Sequence, residues 1–119
     1  MTTYTGVRAA SRIVVCADGE PLCPRLDLYP LCPSGFDWGY PGTGPSQLAL
    51  AILADHWPSD ENRALGEYRL FMRQVIARIA TDRWSLSGED LDRLSCDMHV
   101  TARVSLRRLP VLAECARVG

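Results

Sequence analysis

The sequence predicts a single α+β domain: a small N-terminal antiparallel sheet packed on two main helices, with a short third helix. Three observations carry that expectation. β-prone runs within the first 30 residues meet at Asp18-Gly19, a two-residue hairpin signal. Gln47 to Trp57 is apolar on nearly every side, the pattern of a helix at the centre of a domain. Leu65, Tyr68, Phe71, Met72, Val75, Ile76 and Ile79 fall on one arc of roughly 140° at helical spacing.

The elements follow in order. Tyr4, Gly6-Val7 and Arg12-Ile13-Val14-Val15-Cys16 read as strands. Glu20-Pro21-Leu22-Cys23-Pro24 is a return strand that its prolines confine to an edge. A sheet of two or three strands is expected from these runs. Pro30, Pro33, Gly35, Gly39, Pro41, Gly42, Gly44 and Pro45 exclude a helix or a central strand between them. Phe36, Trp38 and Tyr40 in the same stretch imply an ordered loop, because the rings must bury somewhere. Pro45 opens the first helix with Thr43 or Gly44 as its cap, and Pro58 ends it. Gln47 and Asp55 form its one polar line.

Ser59 or Asp60 caps a second helix running to about Ala80, with Glu67, Arg69, Arg73, Gln74 and Arg78 outside its apolar arc. Trp84-Ser85-Leu86 is a short strand. Ser87-Gly88-Glu89-Asp90 has the form of a capping box, and the third helix should end near Cys96. Val100, Ala102, Val104 and Leu106 alternate like a strand, and the stretch beyond Pro110 suits a helical turn or two. The division is one domain over residues 1–99 and a C-terminal extension over residues 100–119, packed on it or used for interaction.

Length and composition bound the function classes. The chain has 119 residues, enough for one domain. Apolar residues are 47 %, charged residues 23 %, and the net charge is −1. Such values exclude wholesale disorder and argue against direct nucleic-acid binding, which needs a concentrated basic surface. All 13 basic residues are arginine. A phosphate loop with its own lysine, a Schiff-base lysine and a lysine general base are therefore excluded. Leu48 to Ala54 is far too short to span a bilayer, so no membrane partner is expected. The N-terminus lacks a signal-peptide pattern, and the five cysteines are an odd set. Together these point to a cytoplasmic protein with reduced thiols.

Candidate chemistry is sparse. The loop Gly39–Pro45 leads into a helix N-terminus, where free N–H groups can hold an anion. Pro41 and Pro45 remove two of those donors, so a tight turn is the better reading. Asp55 and His56 would be an acid/base couple, but adjacent helical residues point about 100° apart. Cys96 and His99 have C-x-x-H spacing, yet Cys16, Cys23 and Cys32 are not spaced as a zinc knuckle. No metal, cofactor or catalytic residue is expected. The remaining candidates are exposed arginines: Arg69, Arg73 and Arg78 on the second helix, with Arg103, Arg107 and Arg108 in the apolar-rich tail.

The segment Gly35-Phe36-Asp37-Trp38-Gly39-Tyr40-Pro41-Gly42-Thr43-Gly44-Pro45-Ser46-Gln47-Leu48-Ala49 is distinctive. It resembles the hallmark of an uncharacterised domain family of phages, plasmids and integrated elements of bacteria. That pattern runs approximately G-F-D/E-W-G-Y-x-G-S/T-G-P-x-Q-L-A, followed by L-A-D-H, which Leu53-Ala54-Asp55-His56 continues. Pro24 to Leu28 and Trp84-Ser85-Leu86 also look like the family, and the resemblance covers roughly residues 4–95. The resemblance implies no activity; its setting implies a small accessory protein of a mobile element in a bacterial host cell.

The functional expectation is a non-enzymatic protein that binds and blocks a host defence complex, as an anti-CRISPR or another anti-defence inhibitor does. Its expected interaction residues are Arg69, Arg73, Arg107 and Arg108, with Trp38 and Tyr40 as alternative anchors and Trp38 mainly structural. A homodimer stays open. The alternatives are a small enzyme or ligand-binding protein using the Gly39–Pro45 loop, and an arginine-based nucleic-acid-binding regulator.

Overall fold

A computed structural model describes residues 2–101, with side chains through Cys96. The order is β1 (Thr3–Ala9), β2 (Arg12–Ala17), β3 (Glu20–Pro21), α1 (Thr43–His56), α2 (Glu61–Gln74), a 3-10 turn (Ile76–Arg78), β4 (Arg83–Ser87) and α3 (Gly88–Thr101). The expected α+β architecture is present, with four strands in the order β3-β2-β1-β4 instead of two or three. The fourth is the Trp84 strand, which returns from α2 and pairs antiparallel with β1. Trp84 and Leu86 need an apolar face, and β1 offers one beside them.

Side chains alternate across the sheet. Tyr4, Gly6, Val15, Trp84 and Leu86 face the helices and are buried. Thr5, Val7, Arg83 and Ser85 face away. Gly6 lies directly opposite Trp84. A Cβ at Gly6 would sit 2.3 Å from indole atoms of Trp84, so a side chain there and the ring cannot share the space. The Asp18-Gly19 turn forms as expected, with φ of 51° and 83°. The turn between β1 and β2 places Ala10 at φ 56° without a glycine to advertise it.

Helix α1 is buried from Gly44 through Ala54, as its all-round apolar pattern requires. It begins at Thr43, two residues before Pro45. Pro45 sits in the first turn, where a backbone N–H would have no intrahelical partner. Helix α2 packs along α1 and is capped by Asp60, whose side chain accepts from Arg63 N–H at 3.2 Å. It stops at Gln74 and does not reach Ala80. Val75 leaves helical geometry at φ −120°, and the Ile76 carbonyl accepts from Gly39 N–H at 3.1 Å. That break turns Ile76 and Ile79 into the core and sends the chain back towards the sheet.

Strand β4 passes into α3 with no loop between them. Ser87 and Asp90 form the reciprocal capping box: Ser87 N–H donates to Asp90 Oδ2 at 3.0 Å, and Asp90 N–H to Ser87 Oγ at 3.1 Å. From that nucleus α3 runs to Thr101, beyond the expected end at Cys96 and past the division at residue 99. Val100 is therefore helical, because a nucleated helix propagates through a short alternating stretch. The rest of the extension, with Arg103, Arg107 and Arg108, lies outside the described residues.

Replacing Gly6→Ala should destabilise the fold by about 1–3 kcal/mol, because Trp84 must leave its rotamer or the strands must part. Urea unfolding of the two proteins measures the difference.

Candidate functional site

The glycine- and aromatic-rich segment converges on Asp37. Its Oδ1 accepts from Arg8 Nη2 at 3.0 Å and from Trp38 N–H at 2.9 Å. Its Oδ2 accepts from the Tyr40 hydroxyl at 2.9 Å. Arg8 also donates to the Trp38 carbonyl at 2.9 Å, lies 4.6 Å from the Trp38 ring centroid and is 3.6 Å from Asp82. Trp38 Nε1 donates to Thr81 O at 2.8 Å, and its ring meets Trp84 edge-on at 5.6 Å. Trp38 is 1 % exposed, so it serves the core, as expected of it, and does not reach a partner. Tyr40 is 45 % exposed, with its hydroxyl held by Asp37. That hydrogen bond to a carboxylate pushes the Tyr40 phenol above its ordinary pKa.

The glycines serve the same joint. Gly39 takes φ 92°, and a Cβ there would press on the Ile79 carbonyl at 3.1 Å. Gly44 packs against Asp37, and Gly42 against the Tyr40 ring. The segment is a turn built by close packing, which agrees with the structural reading of the loop.

Gln47 is fully buried and satisfies three backbone groups of the preceding loop. Its Oε1 accepts from Cys32 N–H at 2.8 Å, and its Nε2 donates to Pro24 O at 2.7 Å and Tyr29 O at 3.1 Å. The same loop is tied to the start of α2 by Arg25, which pairs with Asp27 and Glu61. In this loop the Ser34 hydroxyl holds the Cys32 thiol below its ordinary pKa.

Asp55 and His56 go to different elements, as their adjacent places on the helix imply. Asp55 Oδ2 accepts from the Tyr4 hydroxyl of β1 at 2.7 Å. His56 Nε2 lies 2.7 Å from Asp92 Oδ1 of α3. Asp55 and His56, weighed as an acid/base couple, and Asp37 beside the Gly39–Pro45 loop are thus each engaged in holding elements together. Among the described residues no three His, Cys, Asp or Glu side chains stand close enough to hold a metal ion. Cys96 is exposed, and the His99 side chain lies outside the described residues.

The arginines divide sharply. Arg8, Arg25, Arg63 and Arg93 each pair with a carboxylate. Arg12, Arg69, Arg73, Arg78 and Arg83 are exposed and pair with no carboxylate of the described residues. Arg69 and Arg73 share the outer face of α2, while Arg12 and Arg83 lie on the outer face of the sheet. Arg8 is the important residue that the sequence reading passed over. Its signal was the alternation Tyr4, Gly6, Arg8, which puts one cation on the inward face.

The class is thus a four-stranded antiparallel sheet backed on one face by helices, sealed by an aromatic loop. A sequence model of a family of unknown function, DUF6166, matches residues 4–97, and the chain belongs to that family. Neither a curated protein nor a solved structure matches the chain. Among the described residues no helix is long and apolar enough to cross a membrane.

Gln47→Leu should cost about 2–3 kcal/mol, since three backbone groups lose their partner at once. Denaturant unfolding, with proteolysis of the loop before α1, checks this. Tyr4 gives a pH test. Burial and the Asp55 carboxylate push its phenol far above the ordinary tyrosine range. The folded state keeps the proton while the unfolded chain loses it above about pH 10. Stability should therefore fall with rising pH there, by up to about 1.4 kcal/mol per pH unit. Tyr4→Phe should remove this part of the slope in denaturant midpoints taken from about pH 9 to about pH 11.

Proposed function

We propose that this chain is a non-enzymatic accessory protein of phages and other bacterial mobile elements. It binds a host defence protein complex and blocks it sterically, as an anti-CRISPR or related anti-defence inhibitor does. The reading extends to Arg107 and Arg108 as further contacts and to a bacterial cytoplasm as the place of action. One observation carries it: the outer face of α2 has two arginines one turn apart with no carboxylate of the described residues beside them.

Like charges at that spacing cost a helix a few tenths of a kcal/mol. An acidic surface on a partner would offset the cost and gain charge-assisted hydrogen bonds. Gly66 supports the same face. It stands one turn before Arg69, is exposed, and a Cβ there would meet nothing within 4 Å. The fold does not need this glycine, which costs about 1 kcal/mol against alanine in a helix. A bare backbone beside two cations suits close approach by a partner. Asn62 continues the stripe, while Glu67 on the flank is occupied by Arg63 and Ser95. The engagement of Asp37, Asp55 and His56 in structural contacts weighs against the enzyme alternative. The spread of the unpaired arginines over α2, the 3-10 turn and the outer face of the sheet weighs against the nucleic-acid one.

The test is phage plating on bacteria carrying an active defence system, with and without the expressed protein. The wild type should raise plating efficiency, and Arg69→Glu with Arg73→Glu should abolish the rise at unchanged thermal midpoint. Gly66→Ala should separate the roles, raising stability by about 1 kcal/mol while weakening inhibition. Wild-type protein without effect against every defence system tried would sink the reading.

A further inference from the structure

Among the described residues the sheet carries helices on one face only, and its other face holds a cavity of about 290 Å³. Thr5, Gly6, Val7, Arg83, Trp84 and Ser85 line it. It lies where β1 and β4 pair, and its floor is the Gly6-Trp84 pair, whose one side chain is drawn to the opposite face. The walls are therefore the neighbouring residues on each strand, which point outward.

Those walls have a definite chemistry. Thr5 and Ser85 are directly opposite each other, which brings their Cβ atoms to about 5 Å. Arg83 precedes Ser85 on the same face, about 7 Å along the strand. Opposite Arg83 stands Val7. The Thr5, Ser85 and Arg83 side chains bond to no group of the described residues, so their donors are open to a ligand. Arg83 has its neighbouring carboxylate taken away, because Asp82 is turned to Arg8. Its strand is held in place, with the Arg83 carbonyl accepting from the Thr81 hydroxyl at 2.6 Å. Arg12, on the same face, adds positive charge and likewise pairs with no carboxylate of the described residues.

We infer that this cavity binds a small monocarboxylate with a short apolar stem. The Arg83 guanidinium takes the two carboxylate oxygens as a fork, and the Ser85 and Thr5 hydroxyls donate at the side. The stem lies on the Val7 methyl groups. The planar carboxylate matches the Arg83 fork and its stem matches Val7, whereas inorganic phosphate is tetrahedral and has no apolar group for Val7. The volume is at the lower limit for ligand pockets, which suits a few heavy atoms and excludes a nucleotide. The site is separate from the α2 face and does not depend on the inhibitor reading.

The experiment is a ¹H–¹⁵N NMR titration of the full chain at neutral pH and constant ionic strength, with butyrate and with inorganic phosphate as probes. Butyrate should shift the amides of Thr5, Val7 and Ser85 saturably, and phosphate should not. Arg83→Gln, an exposed change that leaves the strand bonds intact, should weaken butyrate at least about tenfold. Ser85→Ala should weaken it less, and Arg69→Gln on the helix should leave it unchanged. Unmoved amides, equal binding of phosphate, or wild-type affinity in Arg83→Gln would each overturn the proposal.

Discussion

The indole of Trp38 is the joint on which the other parts meet. Its ring lies edge-on to Trp84 of the sheet, and its face is covered by Arg8 of β1. Its Nε1 holds the connection between α2 and β4 through Thr81. Its backbone N–H and carbonyl are gripped by Asp37 and Arg8. Loop, sheet and helix connection are thus fixed by one residue that is 1 % exposed. A large aromatic ring with a satisfied N–H supplies both buried area and direction, which smaller apolar residues cannot. The charge that orients it, Arg8 with Asp37, is half-buried and hydrogen-bonded, so it adds geometry at modest desolvation cost.

Glycine use separates structure from binding. Gly6 is absent of side chain because Trp84 crosses it, and Gly39 because of its backbone angle and the Ile79 carbonyl. Gly42 and Gly44 let the Tyr40 ring and Asp37 close on the start of α1. In each case the neighbouring atom supplies the reason. Gly66 has no such neighbour, and it stands beside Arg69 and Arg73. The segment from Asp37 to Gln47 is therefore explained by packing, while the surfaces proposed for partners lie elsewhere, on α2 and on the sheet face that no helix of the described residues covers.

Local signals were legible where the chemistry is local. The Asp18-Gly19 turn, the Asp60 cap, the Ser87/Asp90 capping box and the buried character of α1 are each written in a few adjacent residues. Signals that depend on a distant partner were not. The Trp84 strand was visible as a strand, but its place beside β1 depends on Gly6, far earlier in the chain. The end of α2 at Gln74 depends on Gly39 capturing the Ile76 carbonyl. Gln47 and Asp55 looked like one polar line on an apolar helix. They are two separate anchors, one for the loop before α1 and one for Tyr4.

By itself the sequence determined the class of fold, the identity of most elements, the absence of lysine chemistry and the arginines worth testing. Those follow from periodicity, turn residues and composition, which are properties of neighbouring positions. Only the tertiary structure decided which polar groups are spent on holding elements together and which stay unpaired among the described residues. Asp37, Asp55 and His56 could have been chemical groups until Arg8, Tyr4 and Asp92 were found beside them. Arg69, Arg73 and Arg83 keep their charge unpaired within the described residues for the same reason in reverse. Pairing between residues far apart in the chain is set by how the layers stack, and no local pattern encodes it.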